Sequence, residues 1–119
     1  MAEPAQIGLL TIEVTPSQVV FRFANPHAMM LEIPVSLEEE LARFLEEHRG
    51  ELEGKRFLID LQNLPALSSR QLGMMLTVRK LCQSLGTVEL EGLSGSVRHL
   101  LHMTRMARYF NLPAPPAGD

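Results

Sequence analysis

A chain of 119 residues that is 45% hydrophobic and 21% charged is one domain of ordinary globular composition, long enough to bury a core without metal or disulfide staples. A single cysteine, Cys82, excludes an internal disulfide framework and every multi-cysteine zinc or iron–sulfur site, and no apolar run approaches the length of a transmembrane helix. The net charge of −3 hides an asymmetry: residues 70–110 hold six Lys/Arg against Glu89 and Glu91, a local +4, while the rest holds five basic and twelve acidic residues, a local −7.

Such an imbalance either steers a charged partner or marks ordinary solvated helix faces. It does not suit nucleic acid, because there is no dense basic run and only five Phe and one Tyr to interleave with it. The start, Met1-Ala2-Glu3-Pro4, lacks the basic and then apolar blocks of a secretory signal. A cytoplasmic domain with no membrane insertion is expected.

Residues 7–14 are rich in β-formers and stop at Thr15-Pro16, so they read as a strand. Residues 17–24 alternate, with Val19, Phe21 and Phe23 on one face, which makes a half-buried second strand. The short link predicts an antiparallel hairpin. Asn25-Pro26-His27 breaks the pattern, and Met29 to Ile33 form a short apolar stretch that is either a strand or a loop over the core. Ser36-Leu37-Glu38-Glu39 is a capping box that opens a helix with the stripe Leu37, Leu41, Phe44 and Leu45, and Gly50 is its expected stop. The apolar run Phe57-Leu58-Ile59 predicts a central strand covered on both faces.

A loop through Asn63 and Pro65 leads to a helix over roughly 69–84, with Leu72, Met75, Leu76, Val78, Leu81, Cys82 and Leu85 as its apolar positions. Gly86 ends it. Residues 87–91 alternate as a further strand, and Ser94 or Ser96 caps a helix through Val97, Leu100, Leu101 and Met103. An amphipathic turn over 106–112 closes the domain. The Pro-rich segment 113–119 is expected to be a flexible C-terminal tail, leaving 1–112 as a single domain. The fold class that follows is α/β: a small mixed sheet of about four to five strands with an antiparallel opening hairpin, parallel later strands and helices packed on it.

Chemistry is sparse. His99 and His102 lie at i and i+3, but no third ligand of matching spacing accompanies them, so packing or solvated histidines fit better than a metal site. No Gly-x-Ser-x-Gly elbow supports a hydrolase, and Gly92-Leu93-Ser94-Gly95 is too short for a phosphate loop and lacks its lysine. Met74, Met75, Met103 and Met106 are either core filler or an adaptable contact surface. Cys82, in the apolar stripe, reads as a buried small hydrophobe. No enzyme activity, metal or cofactor is implied. Ser68 or Ser69 stands at the predicted helix start, where either hydroxyl can cap it and where free amides favour an anion.

Residues 57–76 resemble the signature of STAS domains, the family of bacterial anti-sigma factor antagonists and of sulfate-transporter tails. Asp60-Leu61 match the end of its buried strand, Ser69 falls on the family's phosphorylated serine, and Leu72-Gly73 match the Leu-Gly after it. Val88-Glu89-Leu90 and Gly92-Leu93-Ser94 resemble the next strand and turn, and Val97 to Phe110 the closing helix. The chain departs from the pattern at Ser68, where the family has Asp, at Arg70, where it has Ser or Thr, and at Gln71, where it has Gly.

The resemblance implies a STAS-like regulator that works by protein contact in transcription signalling. Its partner would be an anti-sigma factor with serine-kinase activity. Ser69 would be the phosphorylation site, with Ser68 as the alternative, and Ser68, Ser69, Arg70, Gln71 and Met74 would form the contact surface. Phosphorylation would add nearly two negative charges to that surface and end the contact. The alternatives are a phosphorylation-independent scaffold or accessory subunit of a transport or signalling complex, and a small-ligand sensor with a pocket beneath the 25–35 loop.

Overall fold

The structure is a computed structural model that describes residues 5–7, 10–23, 36–62, 69–110 and 112. Five strands form one sheet in chain order: β1 (Ala5–Ile7), β2 (Leu10–Val14), β3 (Gln18–Phe23), β4 (Arg56–Asp60) and β5 (Val88–Glu91). The first two pairings are antiparallel and the last two parallel. The helices are α1 (Ser36–Glu47), α2 (Arg49–Leu52), α3 (Ser69–Cys82) and α4 (Gly95–Met103), followed by a 3-10 turn at Ala107–Phe110. The expected antiparallel opening, parallel later strands and intervening helices are all present.

The turn between β2 and β3 is closed by Thr15, whose hydroxyl donates to the Gln18 carbonyl and accepts the Gln18 N–H, both at 3.1 Å. This local bonding makes Thr15-Pro16 the turn its composition predicts. Upstream, the strand expected over 7–14 is two strands. Ile7 pairs directly with Leu10, so β1 folds back on β2. A β-rich run with one glycine, Gly8, does not distinguish one strand from two.

The inner face of the sheet is built by the period-two residues of each strand. Leu10 and Ile12, Val19, Phe21 and Phe23, Phe57 and Ile59, and Val88 and Leu90 are buried in one core cluster with the helices' apolar positions. Phe21 and Phe57 stack within it at 6.3 Å between ring centroids. From the helices come Leu37, Leu41 and Leu45, then Met74, Met75, Val78 and Cys82, then Val97 and Leu101. Val20 and Leu58, paired on the other face, lie outside this cluster.

Leu58 and Val20 are 4% and 3% exposed, so β4 is covered on both faces, as its apolar run predicts. The described helices pack on one face only. On the face away from that cluster, Arg56 and Asp60 flank Leu58 along β4, and Val20 and Glu89 pair beside it. Arg56 and Glu89 also approach to 3.4 Å across β4 and β5.

Gly50 is not the helix stop. The chain takes another turn, α2, and fully buries Leu52. The left-handed residue that ends this region is Gly54, at φ +86°, whose N–H donates to the Leu85 carbonyl at 2.9 Å. Burial of one leucine outweighs the modest cost of a helical glycine. The 29–33 stretch, the 25–35 loop and the 113–119 tail lie outside the described residues.

Candidate functional site at the start of the third helix

The parallel strands β4 and β5 end side by side, with the Leu61 N–H donating to the Glu91 carbonyl at 2.9 Å. Two chain segments leave from this edge: one leads through residues 63–68 to α3, the other through Gly92-Leu93-Ser94 to α4. Asp60 organises both. One oxygen accepts the Arg22 Nε–H at 3.0 Å, the other accepts the Gln62 backbone N–H at 2.9 Å. Arg22 also reaches Glu13 at 3.4 Å, so a Glu13–Arg22–Asp60 row crosses β2, β3 and β4.

Gly92 sits against this turn at φ +71°, and a Cβ there would meet the Gln62 nitrogen at 2.9 Å and the Asp60 carboxylate at 3.0 Å. Only glycine fits both the conformation and the approach. Ser94 then caps α4, its hydroxyl accepting the Val97 N–H at 3.2 Å. The Gly-Leu-Ser turn is thus a close-approach residue followed by a helix cap, and Ser94 rather than Ser96 is the cap.

Ser69 lies in the first turn of α3 and is exposed. That first turn carries no acidic residue, whereas α1 has Glu38 and Glu39 in the same place. The amide-rich, positive end of α3 is therefore left without a side-chain anion of its own. Arg70 belongs to the helix, and its side chain and Ser68 lie outside the described residues, as does the capping contact of Ser36.

Gln71 and Met74 are 4% and 2% exposed. Both point into the domain, beneath the surface on which the sequence placed them. Gln71 is a buried polar side chain and is not without a partner.

The remaining candidates separate cleanly. Met75 is core, Met106 is half-buried against it, and Met103 is exposed. Cys82 is fully buried, and loss of solvent pushes its thiol pKa up to about 12. His99 is exposed, and His102 is half-buried with its Nε2 enclosed and unpartnered. Among the described residues no three His, Cys, Asp or Glu side chains are grouped to hold a metal ion, and no helix is long and apolar enough to cross a membrane. Sequence reasoning matched Asp60 to a strand end but missed Arg22, its partner 38 residues away, because nothing local in either segment announces the pair.

The fold and site together define an α/β domain that presents a serine at the start of a helix, beside the C-terminal ends of two parallel strands. The family model for the STAS domain matches residues 10–115, and the chain belongs to that family. A comparison with curated protein sequences found no match. Among solved structures, a crystal structure from Thermotoga maritima titled a "putative anti-sigma factor antagonist" is similar, with a TM-score of 0.52 and 15% identity over 85% of this chain and 82% of that one. At that identity the likeness is one of fold.

Proposed function

We propose that this STAS domain is a non-enzymatic regulatory contact module of the anti-sigma factor antagonist kind, acting in the cytoplasm on an anti-sigma factor with serine-kinase activity. The observation that carries the reading is Ser69: an exposed hydroxyl in the first turn of a helix whose positive end has no acidic side chain. A phosphate there would be held by backbone amides while adding nearly two charges and considerable bulk to the face a partner must cover. Ser69, with Ser68 and Arg70 beside it, would touch the partner. Gln71 and Met74, both buried, would hold the first turn of α3 in place from below.

The test is incubation with the kinase encoded nearest to it and ATP, with mass-spectrometric mapping and binding measured for Ser69→Asp. Phosphate on Ser69 and lost binding of the aspartate variant are expected. No phosphate on Ser69 together with unchanged binding of Ser69→Asp would end the switch reading. Phosphate retained by Ser69→Ala would move the site to Ser68.

One observation favours the phosphorylation-independent scaffold as a second reading. The glycine that follows the phosphosite region in the family is replaced by Gln71, whose side chain is buried at the helix start.

A further inference from the structure

The end of the domain opposite Ser69 carries exposed side chains from α4 and the residues after it. Helices α3 and α4 run back from the C-terminal ends of β4 and β5, so their last turns lie at the other end of the sheet. Arg79, in the last turn of α3, donates from Nε to the Tyr109 carbonyl at 2.6 Å and so ties the 3-10 turn to the same end. Met103, at the end of α4, is 70% exposed and is the one exposed large apolar side chain among the described residues.

No Asp or Glu occurs from Gly92 to Gly118. Arg22, Arg49, Arg56 and Lys80 all have carboxylate partners. Arg105 and Arg108 are exposed, and neither has a carboxylate within 4.0 Å among the described residues. The Arg108 guanidinium lies 5.1 Å from the centre of the Tyr109 ring and donates to the Tyr109 hydroxyl at 3.4 Å, which restrains the side chain.

Arg105 adds an independent observation. Its N–H donates to the His102 carbonyl at 3.2 Å and the Met106 N–H donates to the Leu101 carbonyl at 2.9 Å, the paired bonds of a Schellman helix stop. Arg105 occupies the left-handed position of that motif, at φ 62°, where glycine fits with least steric cost. Its side chain makes no hydrogen bond or ion pair with any described residue. An arginine thus holds a position that glycine would fill with least cost, and residues held in this region cluster at functional surfaces.

We propose that Met103, Arg105 and Arg108 form a docking surface for an acidic protein segment that also carries an apolar side chain, distinct from the surface at Ser69. The charge complement of unpaired guanidinium groups is carboxylate, which arginine binds through two parallel hydrogen bonds. Met103, two residues before Arg105 in the chain, supplies an adaptable apolar side chain. This inference does not rest on the phosphorylation reading.

The test titrates the isotope-labelled full chain with a synthetic 12-residue peptide of Glu and Leu, and with the same peptide bearing Gln for Glu, while backbone amide shifts are followed. Saturable shifts confined to residues 98–110, weakened by added salt and absent with the Gln peptide, are expected. Arg105→Glu combined with Arg108→Glu should weaken binding about tenfold or more. Arg105→Gly is the discriminating variant: it should raise the melting temperature and still weaken the peptide about threefold. Ser69→Asp should leave the titration unchanged.

The proposal fails if the Gln peptide binds equally, if Arg105→Gly keeps full affinity, or if the shifts map to 69–75. It also fails if the same amides respond only to anionic phospholipid vesicles, or to the chain's own concentration.

Discussion

Gly54 and Gly92 both hold left-handed backbone, at φ +86° and +71°, so alanine at either position carries a conformational cost of about 1 kcal/mol. Their surroundings differ. A Cβ at Gly54 meets nothing within 4 Å, whereas at Gly92 it meets the Gln62 nitrogen at 2.9 Å and the Asp60 carboxylate at 3.0 Å. Those atoms belong to a turn already held by the 2.9 Å bond from the Gln62 N–H to Asp60. Making room means stretching a charge-assisted hydrogen bond worth about 1.5–3 kcal/mol. Gly92→Ala should therefore cost about 2–4 kcal/mol and Gly54→Ala about 1. Urea denaturation measures both: with a slope of about 2 kcal/mol per molar, the midpoint should fall by roughly 1–2 M for the first and about 0.5 M for the second. Equal shifts, or a larger one for Gly54→Ala, would refute the crowding argument and with it the claim that Gly92 presses on the turn leading to Ser69.

Other outcomes follow from the same geometry. Ser94→Ala removes the cap of α4 and should cost about 1 kcal/mol by urea midpoint, while Ser96→Ala should cost nothing measurable. Asp60→Ala leaves the Arg22 Nε–H and the Gln62 N–H without their acceptor and should cost about 1–3 kcal/mol, with amide shift changes reaching Ser69. Cys82 should react with a thiol reagent at pH 8 only as fast as the protein unfolds. Because burial raises its pKa to about 12, the unfolded chain ionises first. The thiol's contribution is thus intact below about pH 9 and is lost as pH rises towards 12, a slope that Cys82→Ala should remove.

What was legible in the chain was what local chemistry encodes. The alternation at Val19, Phe21 and Phe23, the Thr15-Pro16 turn, the apolar stripe of α1 and the cap at Ser94 each depend on residues within a few positions of one another. The signature around Asp60, Ser69 and Gly92 placed the candidate site at the start of α3. Where a local signal was ambiguous, burial decided. Leu52 carried the chain past Gly50, and Ile7 turned back to pair with Leu10 instead of continuing the strand.

The rest depended on partners distant in sequence. That Gln71 and Met74 point inward follows from which side of α3 meets the sheet, and α3 alone does not specify it. Arg22 finds Asp60 only because β3 and β4 pair in parallel with those two residues in register. The −3 charge becomes informative only when the last turns of α3 and α4 come to one end, where Arg105 and Arg108 have no carboxylate within 4.0 Å among the described residues. Sequence by itself determined the elements and the family signature, because turns, caps and periodic faces are short-range. Only the tertiary structure decided which side chains stay exposed, because exposure depends on what packs against a residue.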